Sequence, residues 1–90
     1  MTRVLYEPGK PALTFSGHAG AGEYGHDLVC AALSILQYTL REALPEASVQ
    51  GGEGYCRVEG GDPAPYAYTA GGVRLLAESF PNNVRMEVRT

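Results

Sequence analysis

The stretch Leu28-Val29-Cys30-Ala31-Ala32-Leu33-Ser34-Ile35-Leu36-Gln37-Tyr38-Thr39-Leu40-Arg41-Glu42-Ala43-Leu44-Pro45 decides the fold. Within it Val29, Leu33, Leu36, Leu40 and Leu44 recur at spacings of 4, 3, 4 and 4, the period that draws one apolar stripe along an α-helix. Pro45 has no amide hydrogen and its ring obstructs the preceding turn, so the helix stops there. Asp27, just before the run, is the natural N-cap, which makes Leu28 the first helical residue and Cys30 the third.

Outward from this helix the chain reads as strands. Toward the N-terminus, Arg3 to Tyr6 and Ala12 to Ser16 are short apolar runs joined by Glu7-Pro8-Gly9-Lys10-Pro11, whose Pro-Gly pair signals a turn and hence a hairpin. Toward the C-terminus, Ser48 to Gln50 and Tyr55 to Glu59 flank Gly51-Gly52-Glu53-Gly54 and predict a second hairpin. Asp62-Pro63 has the form of a capped helix start, and Ala70, Val73, Leu76 and Phe80 continue at helical spacing up to Pro81. Gly71-Gly72 inside that segment costs roughly 1 kcal/mol per glycine relative to alanine. Either this second helix begins late or the pair permits close packing on another backbone. Finally Val84, Met86 and Val88 alternate with Arg85, Glu87 and Arg89, a strand that should close the sheet. The order strand, strand, helix, strand, strand, helix, strand predicts a single α+β domain spanning 1–90, a two-layer sandwich of a mostly antiparallel sheet packed against two helices.

Composition narrows what such a domain does. Lys and Arg number 7 against 10 Asp and Glu, a net charge of −3, which provides no polycationic face for nucleic acid. Two cysteines, Cys30 and Cys56, are too few for a disulfide framework, and both are expected reduced. The N-terminus has no continuous apolar run of the signal-peptide kind, and Leu28 to Leu36 falls well short of the ~18 apolar residues of a membrane span. A cytoplasmic location, away from the membrane, is expected. With 90 residues the core is modest, so short strands with open edges favour a homodimer.

The segment Ser16-Gly17-His18-Ala19-Gly20-Ala21-Gly22-Glu23-Tyr24-Gly25-His26-Asp27-Leu28-Val29-Cys30 carries the chemistry. It holds both histidines, and its glycines match neither a dinucleotide fingerprint nor a phosphate loop. A cysteine near a helix N-terminus is favoured as thiolate, above all beside a histidine. Cysteine is also a common small core residue. Here, however, Cys30 shares its helical row with Ser34, Gln37 and Arg41 rather than with the apolar stripe, which puts it at the core margin. A histidine after a strand and a cysteine at a helix start can meet across a loop as a base and nucleophile. His18 fits this better than His26, which lies only four residues before Cys30. Gly20, Gly22 and Gly25 then suggest a mobile lid, with Glu23 and Tyr24 as an acidic handle and an aromatic wall. Zinc held by His18, His26, Cys30 and Cys56 is a weak alternative because the ligand spacings of zinc sites are missing. Cys56 reads as packing.

These residues resemble a known signature. Gly17-His18-Ala19, Gly22-Glu23-Tyr24-Gly25-His26-Asp27 and Val29-Cys30-Ala31 with Ser34 are similar to the motif of the bacterial ribosomal-processing cysteine protease (Prp) family. The resemblance implies a cytosolic, homodimeric cysteine endopeptidase that removes a short N-terminal extension, ending in aromatic residues, from a large-subunit ribosomal protein. By the same resemblance His18 and Cys30 are the catalytic pair and Gly17, Asp27 and Ser34 support them. A related phage or mobile-element substrate is the variant of this expectation, and no metal or organic cofactor is implied. The rival from another class is a noncatalytic module that grips protein tails in the same groove.

Overall fold

A computed structural model describes the backbone of residues 1–17 and 24–90 and the side chains of residues 1–17 and 28–90. Five strands and two helices follow in the predicted order: β1 (Thr2–Glu7), β2 (Ala12–Ser16), α1 (Tyr24–Ala43), β3 (Ser48–Gly52), β4 (Tyr55–Glu59), α2 (Pro63–Ser79) and β5 (Val84–Val88). The strands form one sheet in the order β3-β4-β2-β1-β5. The expected α+β sandwich is therefore present, with one qualification: β5 pairs with β1 in parallel, while the other three pairings are antiparallel. β5 lies at a sheet edge, because α2 carries the chain across the layer and returns it in the direction of β4.

Both helices lie on one face, and connectivity explains why. α1 links β2 to β3 and α2 links β4 to β5, each crossover joining strands that run the same way. The two crossovers step in opposite directions across the sheet from strands of opposite sense, so right-handed connections place both helices on the same side. Between the layers sit Val4, Leu13, Phe15, Val58 and Val84 of the sheet, Val29, Leu33 and Leu40 of α1, and Tyr66 and Val73 of α2. The stripe read from the sequence is thus the buried face of α1. Leu44 belongs to the same core, one residue past the helix end.

One glycine of the α2 pair packs closely. A Cβ added to Gly72 would come within 2.9 Å of Leu36 Cδ2, whereas one on Gly71 would meet nothing within 4 Å. Gly72 therefore lets α2 approach α1, and the helix begins where Asp62 caps it, its carboxylate accepting the Ala64 N–H at 3.0 Å. Tyr66, fully buried, anchors the first turn by donating to the Gly60 carbonyl at 2.6 Å.

The opposite face of the sheet is polar. There Arg57 of β4 reaches across β2 to Glu7 of β1, donating to its carboxylate at 2.9 Å and to Thr14 Oγ1 at 2.7 Å on the way. Lys10 closes on the other Glu7 oxygen at 3.2 Å. The hydrogen bond from Arg57, then that from Lys10, holds the Glu7 carboxyl below its usual value of 4.5.

Candidate active site

The strand ends that carry Thr2, Gly17 and the Gly52–Tyr55 turn meet the N-terminal half of α1 at one edge of the sandwich. Between them opens a cleft of about 220 Å³ lined by Cys30, Ser34 and Gln37 of α1 and by Phe15, Gly17, Tyr55 and Cys56 from the sheet side. The row Cys30, Ser34 and Gln37, separated from the apolar stripe in the sequence, is the wall that α1 turns to this cleft. Cys30 is exposed and Cys56 is buried, and both are free thiols.

Gly17 holds the mouth of the cleft in shape. Its φ of +86° is open to glycine but strained for any other residue. A Cβ there would also sit 2.5 Å from the Met1 carbonyl oxygen. Its N–H donates to the Gly54 carbonyl at 2.8 Å, tying the end of β2 to the β3–β4 turn. Gly17, to which the resemblance assigns a supporting role, thus shapes this corner of the cleft.

The helix start differs from expectation. α1 begins at Tyr24, so Asp27 is its fourth residue rather than its N-cap, and Cys30 is its seventh rather than its third. Only the first turn of a helix carries unsatisfied N–H groups and most of the dipole effect, so the Cys30 amide is committed to the helix. The sequence misplaced the start because Asp27 before an apolar run is a strong local capping signal, while Tyr24, Gly25 and His26 carry no helical one. Tyr24 and Gly25, read as part of a lid, belong to the first turn of α1. His18, Gly20, Gly22 and Glu23 lie outside the described residues, as do the side chains of Tyr24, His26 and Asp27.

Cys56 has a second aspect that the sequence did not reveal. It packs in the core as expected, but it also lines the cleft that holds Cys30. Burial pushes its thiol up, against a smaller opposing effect of Arg41. Tyr55, Thr2 and the Gly52–Gly54 turn were likewise missed as lining. Tyr55 and the turn before it arrive through the pairing of Ser16 with Tyr55, and Thr2 through that of Arg3 with Ser16, contacts between residues well separated in the chain.

An exposed thiol on a helix face at the mouth of a cleft, walled by uncharged residues, suits a thiol hydrolase. The chain belongs to the cysteine protease Prp family, whose family model matches residues 8–84. Two similar solved structures are those of the essential ribosomal processing protease Prp from S. aureus. The one in complex with a covalently linked product peptide has a TM-score of 0.85, is 22% identical and covers 99% of this chain and 100% of that one. The one in complex with a substrate peptide has a TM-score of 0.84, is 21% identical and has the same coverage. SMU.848 from Streptococcus mutans is 26% identical, with a TM-score of 0.76 and coverage of 99% of this chain and 92% of that one. No curated protein sequence matches the chain. The expectation of a cysteine protease is met, and the rival reading as a noncatalytic module gives way to it. Among the described residues, no helix is long and apolar enough to cross a membrane.

Proposed function

We propose that this protease is a cytoplasmic endopeptidase that removes a short N-terminal extension from a large-subunit ribosomal protein, with Cys30 as nucleophile and His18 as base. The observation that carries this is the cleft shared by Cys30 and Gly17: Gly17 is peptide-bonded to His18, so the base follows directly from a residue of the cleft wall. The similar S. aureus structures are of a ribosomal processing protease with product and substrate peptides, which supports the same substrate class here.

The steps follow from the chemistry of the pair. His18 takes the proton of Cys30, and the sulfur attacks the scissile carbonyl carbon to give a tetrahedral oxyanion. His18 then passes the proton to the leaving amine, the C–N bond breaks and a thioester remains. Water, deprotonated by His18, hydrolyses the thioester and restores the thiol. Since the Cys30 amide is committed within α1, the oxyanion needs other donors. Ser34, one turn along the same wall, offers its hydroxyl there, which accords with a supporting role. Asp27, inside the first turns of α1, acts as a support rather than a cap.

The enzyme works as a homodimer. Leu28, Ile35 and Tyr38 on α1 and Tyr68 and Leu75 on α2 are exposed, an apolar surface on the outer side of the helix layer of the kind that a second subunit covers. This apolar area on the helix faces supports the assembly beside the open sheet edges from which the sequence argued.

The test is cleavage of N-terminally extended ribosomal protein and of peptides from its extension, read by mass spectrometry. Wild-type protein cuts after the aromatic residues, and Cys30→Ala and His18→Ala lose at least about a thousandfold in rate, the scale of removing one member of a catalytic pair. His26→Ala retains most of the activity. Cleavage by folded Cys30→Ala overturns the assignment of the nucleophile.

A further inference from the structure

The strand nearest the cleft, β3, has an open backbone edge whose polar groups can be assigned residue by residue. Gly17 donates to the Gly54 carbonyl at 2.8 Å and Gly60 donates to the Pro11 carbonyl at 2.9 Å. These bonds bracket the register that sets Phe15 against Cys56 and Leu13 against Val58, so the even-numbered residues of β4 turn their N–H and C=O groups toward β2. Along an antiparallel ladder these groups switch sides at each residue. Tyr55, Arg57 and Glu59 therefore turn theirs toward β3, where they face Gly52, Gln50 and Ser48. The intervening residues Val49 and Gly51 point their N–H and C=O groups outward. Among the described residues no strand pairs with β3 on that side, and all of β3 is exposed. Such an edge is a template for another extended chain.

This edge runs alongside the catalytic cleft. Gly52 and Gly54 line the cleft with Cys30, Ser34 and Gln37, and a second hollow, which shares no lining residue with the first, lies farther along α1 beside β3, bordered by Arg41, Ala47 and Val49. The row from Cys30 to Arg41 extends ~16 Å at a rise of ~1.5 Å per residue, room for about five residues of extended chain at ~3.3 Å each. Gly51 shares the helix-facing side of the sheet with its partner Cys56, and Val49 shares it with Val58. A chain laid along β3 would thus turn alternate side chains into the space under α1. Opposite Gly51 that space is open, since β3 has no side chain there.

We propose that the outward edge of β3 at Val49 and Gly51 is a strand-addition site for the substrate backbone, which the groove between β3 and α1 leads to Cys30. The inference rests on the reading of Cys30 as the nucleophile. Main-chain pairing supplies affinity without regard to sequence, and the residues that enter the groove supply the selectivity. The unpaired amide of Gln37, which has no hydrogen-bond partner among the described residues, faces the same path.

Tethering tests the site independently of catalysis. A ten-residue peptide with two phenylalanines before a central cysteine, supplied as its thiopyridyl disulfide, exchanges with the exposed Cys30 thiol and releases thiopyridone. Amide hydrogen exchange is then followed by NMR in the free and tethered protein. The expected result is at least tenfold slower exchange at Val49 and Gly51 on tethering, with Gln50 and Gly52 already protected in the free protein. Unchanged rates at Val49 and Gly51 overturn the proposal. So does protection of these amides in the free protein that grows with its concentration, which would assign the edge to a second copy of the chain, and so does failure of the peptide to couple to Cys30. Protection of these amides together with cleavage that survives in folded Cys30→Ala would refute the nucleophile assignment alone and leave the strand-addition site standing.

Discussion

Single residues set both the chemistry and its support. Cys30 and Cys56 share a cleft but not an environment, because one is exposed and the other is desolvated. Iodoacetamide near neutral pH is therefore expected to modify Cys30 and to leave Cys56 unreacted in the native protein, with both labelled after unfolding; mass spectrometry of the tryptic peptides gives the ratio. At Gly17 the positive φ and the nearby Met1 carbonyl act together. Gly17→Ala should lower stability by about 1–3 kcal/mol, seen as a fall in the urea midpoint, and should also reduce cleavage because His18 is its covalent neighbour. Glu7 provides a pH test. Its carboxyl is held below 4.5 by Arg57 and Lys10, so its contribution is present above the ordinary carboxylate value and disappears as pH falls through the lowered one. Thermal melts from pH 7 down to pH 3 should show a shallower acid decline in Glu7→Gln than in the wild type. Parallel curves would mean that the Glu7 cluster does not couple to folding.

At the scale of elements, the two helices depend on one close approach. Gly71 and Gly72 are adjacent in sequence, yet an added methyl is free at the first and presses on Leu36 at the second. Gly71→Ala should therefore stabilise the protein by about 0.5–1 kcal/mol through helix propensity and reduced unfolded-state entropy. Gly72→Ala should gain less or destabilise, because Leu36 must move. A pair of denaturation curves decides this, and equal gains would show that α1 and α2 can separate without penalty. Tyr66 holds α2 at its other end. Tyr66→Phe leaves the Gly60 carbonyl without its 2.6 Å donor and should cost about 1–2 kcal/mol, whereas removal of the whole ring opens a core cavity and costs more.

For the whole molecule, the question is which surface remains free. The polar sheet face is occupied by its own Arg57–Glu7–Lys10 cluster, and the helix layer exposes Ile35, Tyr38, Tyr68 and Leu75. A dimer built through the helix layer leaves the β3 edge and the cleft open to substrate. Ile35→Glu should accordingly convert the dimer to monomer in sedimentation at micromolar concentration while the isolated chain keeps its secondary structure by circular dichroism. If the wild type sediments as a monomer, the exposed stripe serves another purpose. The net charge of −3 favours a basic protein tail at long range but is largely screened at physiological salt, so changing the aromatic residues before the cleaved bond to alanine should weaken cleavage more than changing its charges.

The sequence by itself determined the local structure. The 4, 3, 4 and 4 spacing from Val29 to Leu44 specified the buried face of α1, the glycine turns and alternations specified the strands, and Asp62-Pro63 specified the start of α2, because each depends on residues within a few positions of one another. The motif from Gly17 to Ser34 was enough to suggest the family and the cysteine chemistry. Tertiary structure alone decided what lies across the cleft from Cys30. Tyr55, Cys56 and the Gly52–Gly54 turn reach it through strand pairings more than twenty residues away in the chain. The choice between a late-starting α2 and a close helix contact also lay with packing, in the space that Leu36 takes beside Gly72. The true start of α1 overrode a strong capping signal at Asp27, since a local cap competes with every longer helix that the surrounding fold can support. The open edge of β3 has the same origin: which backbone groups go unpaired is a property of sheet order, and sheet order is fixed by contacts that no short stretch of sequence contains.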